Sequence, residues 1–170
     1  FNVATSNSTA TGGSDYTVVM TTPYTITAGM TSVMISVPIL TDVIAEPSET
    51  FNVTLSSVVN AIVGDVAGLG TIADDDAYTL SIADEAGITE TDANFNHNFT
   101  VTMSGVAQSD VVISFTTTNG TAVGTDFTAQ SAASYTILAG QTTVTIPVQI
   151  LGDDIAEATE SFTGAILITN

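Results

Sequence analysis

Residues 24–51 read YTITAGMTSVMISVPILTDVIAEPSETF, and residues 135–162 read YTILAGQTTVTIPVQILGDDIAEATESF. The two stretches align without a gap at an offset of 111 residues, so the chain is a tandem repeat. A period of that length is one small domain and not one turn of a solenoid. The acids keep their places in both copies: Asp42, Glu46 and Glu49 before Phe51, and Asp153, Glu157 and Glu160 before Phe162. The shared spacing is D-x-x-x-E-x-x-E-x-F.

Outward from the second stretch the pattern reads as strands. Residues 78–83 (YTLSIA) alternate as a first strand, A. Residues 95–103 (FNHNFTVTM) alternate as B, with Phe95, Phe99, Val101 and Met103 on one face. Residues 110–118 (DVVISFTTT) form C, and a loop through Asn119, Gly120, Gly124 and Asp126 leads to a short D at 135–138. Ala139 and Gly140 turn the chain into E, residues 142–151 (TTVTIPVQIL), with Val144, Ile146, Val148 and Ile150 inward. Pro147, on the opposite face, has no amide hydrogen for a ladder and so marks an edge or a bulge. Residues 161–168 form F.

The first copy starts later and runs further. Residues 1–6 match 113–118, and one extra residue near Gly12 and Gly13 changes the offset from 112 to 111. Beyond Phe51 come residues 66–73 (VAGLGTIA), the last strand G, and then Asp74, Asp75 and Asp76. Superposing the copies predicts an all-β fold of tandem immunoglobulin-like seven-strand antiparallel β-sandwiches, each incomplete within this chain. Residues 1–76 are the C-terminal part of one sandwich (strands C to G), and residues 77–170 are the N-terminal part of the next (strands A to F).

The chain has 18 acids, no Lys or Arg, one His and no Cys, for a formal charge of -18. Nucleic acid is excluded as a partner because phosphate binding needs cationic side chains. Anionic membrane surfaces are excluded for the same reason, and no apolar run reaches the length of a membrane span. Without Cys there is no disulfide and no thiolate to act as ligand or nucleophile. Hydrophobic residues make up 44%, enough to build cores despite the charge. Residue 1 falls inside a strand-like segment with no signal-peptide pattern, so the chain reads as the interior of something longer.

In a seven-strand antiparallel sandwich the A–B, C–D and E–F connections and the end of G share one pole. Of the 18 acids, 16 fall there; Asp65 and Asp110 are the exceptions. Two carboxylates about 5 Å apart repel by roughly 3 kcal/mol at an effective dielectric near 20. With no base to neutralise the cluster, the groups must protonate or bind an outside cation. Carboxylate oxygens in quantity suit a hard cation, and calcium takes six to eight oxygens in flexible geometry where magnesium demands a strict octahedron. Calcium is expected, with more than one ion per domain.

The G-[T/S]-A-x-x-G-x-D-[Y/F] pattern, seen with small gaps at residues 8–16 and 120–127, the acidic E–F turn with its Phe, and the run Asp74, Asp75 and Asp76 together resemble tandem Calx-beta domains. The resemblance implies ligands from an A–B glutamate, the C–D aspartate, the E–F acids and the terminal aspartates. In the first domain these are Asp15, Asp42, Glu46, Glu49, Asp74, Asp75 and Asp76. In the second they are Glu90, Asp126, Asp153, Asp154, Glu157 and Glu160. Val43 stands where the second copy has Asp154, so the first site is expected to hold fewer ions.

No catalytic constellation emerges: His97 has no repeated Ser or Thr partner, and the paired carboxylates lie in a cation cluster. The expected role is a calcium-stiffened spacer or filament segment of a large bacterial adhesin, extracellular or on the cell surface. Its partners would be adjacent repeats, or neighbouring copies that complete a sandwich by strand addition, with a cell-surface or glycan ligand. The alternatives are a calcium sensor, as in sodium/calcium exchangers that share the motif, and a carbohydrate-binding module. His97 reads as a packed or rim residue, and Tyr16, Phe51, Phe127 and Phe162 as core anchors. Asn7, Asn52, Asn98 and Asn119 stand in N-x-[ST] sequons.

Overall fold

A computed structural model of the chain describes residues 1–85 and 87–170. It divides into two compact units, Phe1–Asp75 and Asp76–Asn170. The fold is all-β and immunoglobulin-like, with no helix among the described residues and hence none long and apolar enough to cross a membrane.

The first unit holds β1 (Asn2–Asn7), β2 (Thr22–Pro23), β3 (Ile44–Ala45), β4 (Glu49–Ser56) and β5 (Ala67–Ile72). Four of them build one antiparallel sheet in the order β2-β1-β4-β5, which is D-C-F-G of a sandwich. β1 and β4 pair from Asn2↔Ser56 to Asn7↔Phe51. The core is small: Ala10, Tyr16 and Phe51, with Val37, Val53 and Ile72 packed against them.

Residues 31–40, which match strand E of the second copy at 142–151, are not a strand here; Ile39 alone makes a bridge, to Tyr16. A strand exists only as one side of a ladder, and the first unit has no strand B among its described residues to supply the other. The alternation survives without it. Val33, Ile35 and Val37 are half-buried, while Met34 between them is 89% exposed.

The second unit holds β6 (Leu80–Ile82), β7 (Phe95–Met103), β8 (Val106–Ala107), β9 (Val111–Asn119), β10 (Ala133–Ile137), β11 (Thr143–Ile150) and β12 (Phe162–Ile168). These give two antiparallel sheets, β10-β9-β12 (D-C-F) and β11-β7-β6 (E-B-A). β7 and β11 pair over eight positions, from Thr102↔Thr143 to Phe95↔Ile150. Every second residue of β9, namely Val111, Ile113, Phe115 and Thr117, is buried. From β7 and β11 come Val101, Met103, Ile146, Val148 and Ile150, and the core closes between the sheets. Pro147 is tolerated because β11 is an edge strand. Its carbonyl points away from β7 and accepts a 2.7 Å bond from Gln130 Nε2.

The two units fill matching core space with different side chains. Phe115 of the second unit stands where Val3 stands in the first, and Gly164 where Val53 stands. The exchange is compensating, since a Cβ on Gly164 would collide with the Phe115 ring. Gly164→Val is therefore expected to destabilise the second unit by about 1–3 kcal/mol through overpacking. Denaturant melts read this, and an unchanged midpoint would contradict it.

Candidate metal centre

Each unit builds its acidic pole in the same steps, starting from the turn that presents the C–D aspartate. In the first unit the Thr11 amide donates to Asp15 Oδ2 at 2.5 Å, and the Leu40 amide donates to the Asp15 carbonyl at 3.0 Å. In the second, the Val123 amide and the Thr125 hydroxyl donate to the Asp126 carboxylate at 2.6 and 2.8 Å. The Leu151 amide donates to the Asp126 carbonyl at 2.9 Å. The aspartate is thus held from both sides, by its own turn and by the end of the E segment.

The residue after the aspartate anchors the E–F acids. Tyr16 stacks on Phe51 at 4.5 Å between centroids, and Phe127 stacks on Phe162 at 4.2 Å. Side chains two apart on a strand share a face, so Glu49 lies over Asp15 as Phe51 lies over Tyr16. Glu160 lies just before β12 and is tied to Asp126 by a side-chain hydrogen bond. Gly120 allows the C–D loop to close on the E–F end, because a Cβ there would collide with the Ser161 carbonyl.

Two equivalent triads result: Asp15, Glu46 and Glu49, and Asp126, Glu157 and Glu160. Within each, one oxygen per carboxylate lies within 4.8 Å of the others. Oxygens on opposite sides of a calcium ion, at ligand distances of 2.3–2.6 Å, stand about 4.6–5.2 Å apart, so these sets fit one. The consecutive Asp74, Asp75 and Asp76 meet the same criterion. Asp15 and Glu49 are 9% and 7% exposed, whereas Asp126 is half-buried and Glu157 and Glu160 are exposed.

The remaining acids are set around the triads. Asp42 and Asp153 each spend Oδ1 on the amide two residues on, at 2.7 Å to Ile44 and 2.6 Å to Ile155. Neither belongs to a triad. Asp74 Oδ2 accepts the Glu46 amide at 3.0 Å. Glu90 and Asp153 act on Glu157 by charge. Asp154 lies on the wall of a cavity of about 930 Å³ in the second unit, outside its triad. Asp84, Glu85 and Asp92, which no motif assigned a role, line the same cavity. Their place at the A–B pole was the signal available for them.

The Calx-beta domain model matches residues 1–76 and again residues 73–170. The chain belongs to the Calx-beta family. Among solved structures it is similar to the "calcium binding domain CBD12 of CALX1.1" (18% identity, TM-score 0.40) and to "CBD12 from CALX1.2" (18%, 0.41). In each case the match covers 97% of this chain and 65% of the other. No curated protein matches it significantly.

Electrostatics in both Calx-beta units carries the mark of crowding. Burial, and then the charges of Asp42, Glu49, Asp15 and Asp74, hold the Glu46 carboxyl above the ordinary glutamate value. Partial desolvation and then Asp126, Asp153 and Glu90 do the same to Glu157. Glu160 is raised first by its hydrogen bond to Asp126, then by desolvation and the charges of Asp126, Glu157 and Glu90. Asp126 is lowered, chiefly by the Val123 amide and then the Thr125 hydroxyl.

These shifts set the sign of the pH dependence. Carboxyls raised in the folded state contribute fully below the unfolded value of 4.5 and lose that contribution as pH rises through the folded value. Asp126 runs the other way, contributing above 3.8 and losing it as pH falls. With three raised groups against one lowered, the metal-free protein is expected to melt at lower temperature at pH 7 than at pH 4.5. Calorimetry in chelator reads this, and a melting temperature that climbs over that interval would contradict it.

Proposed function

We propose that the chain is a calcium-stabilised structural repeat, a rigid spacer or filament segment in a bacterial adhesin or other cell-surface protein. The observation that carries this reading is the duplicated triad. Two Asp–Glu–Glu sets occupy equivalent places in two Calx-beta units, in a chain with no Lys or Arg to neutralise them. A cation that bridges such carboxylates removes their repulsion and ties the C–D turn to the E–F segment. Asp74, Asp75 and Asp76 end one repeat in the sequence just before the next begins. A cation held by that run restricts bending at the joint. The partners on this reading are adjacent repeats, and neighbouring copies that add a strand to an open sheet edge.

Calcium at about a hundred times its dissociation constant is expected to stabilise a unit by about 2.7 kcal/mol. Glu49→Gln weakens calcium binding in the first unit, and Glu160→Gln in the second, each by about tenfold or more. Calorimetry and titration with calcium read both effects. Melting that calcium and chelator leave unchanged removes the metal from the reading. Small-angle scattering tests the spacer: profiles with calcium and with chelator that superimpose remove the stiffening. A dissociation constant of about 10⁻⁴–10⁻³ M fits an extracellular module, while about 10⁻⁷–10⁻⁵ M assigns a sensor instead.

A further inference from the structure

We propose that His97 and Glu85 form a proton-operated clasp that fastens the chain at Glu85, beyond β6, onto β7, independently of any metal. His97 is the only side chain of the whole sequence able to become cationic near neutral pH, since there is no Lys or Arg. It sits on β7, opposite Val148 of β11, with its ring edge-on to Phe99 at 5.2 Å. Its Nε2 is shut off from solvent and makes no hydrogen bond among the described residues. Glu85 Oε2 stands 3.8 Å from it, within ion-pair range but too long for a hydrogen bond.

The position of Glu85 gives this contact leverage. Residues 82–85 and 87–90 form one wall of the 930 Å³ cavity. The far end of that wall is already fixed. Gly152 packs so closely on Thr91 and Ala93 that a Cβ would collide with both, and its amide donates to Asn94 Oδ1 at 3.1 Å. At the near end, the contact that reaches β7 from beyond β6 is Glu85 to His97. A neutral imidazole gains little from it. A protonated one presents an N–H with a full charge to the carboxylate, and a shift of about 1 Å in the wall closes the contact to hydrogen-bond length.

The surrounding groups leave Glu85 as the partner. β6 and β11 carry no ionisable side chain, and β7 carries none besides His97. The other acids nearby, Asp84, Glu90 and Asp92 on the same wall and Asp153, Asp154, Glu157 and Glu160, line the cavity. Among the described residues Glu85 is the carboxylate within 4.0 Å of an imidazole nitrogen. The clasp closes when the ring takes up a proton and opens when it releases it.

The lone histidine gives one imidazole signal, so titration of the full chain in chelator can be followed by NMR without ambiguity. The backbone amide signals of Gly87 and Ile88 are expected to move together with the ring signal in the wild type, and to stop following it in Glu85→Gln. In calorimetry the wild type is expected to gain about 2–4 °C more than His97→Gln on going from pH 8 to pH 5.5. Equal gains in wild type and His97→Gln overturn the clasp. So do amide shifts that follow the ring unchanged in Glu85→Gln. Because calcium is absent throughout, failure here leaves the metal reading standing.

Discussion

Mutual repulsion among carboxylates at the loop poles is the constraint to which the rest of the structure answers. Between covered carboxylates such as Asp15 and Glu49, a close pair costs roughly 3 kcal/mol at an effective dielectric near 20. Against it stands the stacked aromatic pair beneath each triad, Tyr16 on Phe51 and Phe127 on Phe162. An aromatic pair contributes about 0.5–1.5 kcal/mol beyond its burial, and each buried ring about 1.5–3. The stack can thus offset one such pair, but not the several that Asp42, Asp74, Asp153 and Glu90 add around the triads. The remainder falls to protons or a cation, and the same crowding holds the carboxyls of Glu46, Glu157 and Glu160 above the ordinary glutamate value.

The two poles share a plan and differ in climate. Asp15 and Glu49 are almost wholly covered, while Glu157 and Glu160 face solvent. A covered carboxylate is less screened by salt and water, so charge is felt more strongly in the first triad. The second triad compensates through hydrogen bonds: the Thr125 hydroxyl and the Glu160 carboxyl both help to hold the Asp126 charge. The difference of Val43 from Asp154, visible in the sequence, is only part of this inequality.

Much of the fold was legible because its signals are local. The period-2 runs of residues 95–103 and 142–151 became β7 and β11, and the acids placed at one pole by connectivity include both triads. Strand E of the first unit was legible as a pattern but not as a strand, because pairing is a non-local property. Which oxygen of Asp42 or Asp153 is spent on its own turn was hidden as well, since it depends on the path of the backbone after the residue. The contact of Glu85 with His97 joins residues whose meeting no periodicity announces.

The exchange of Val3 and Val53 for Phe115 and Gly164 has a consequence for how such a chain folds. Neighbouring repeats of like sequence invite strand exchange during synthesis, when one repeat offers its strands to the next. Were β4 to take the place of β12, Val53 would arrive where Gly164 leaves room for the Phe115 ring. That exchange would overpack the second core, which the correct pairing does not. Divergent cores inside a conserved pattern thus act as a proofreading device, and a chain of more uniform repeats would lack it.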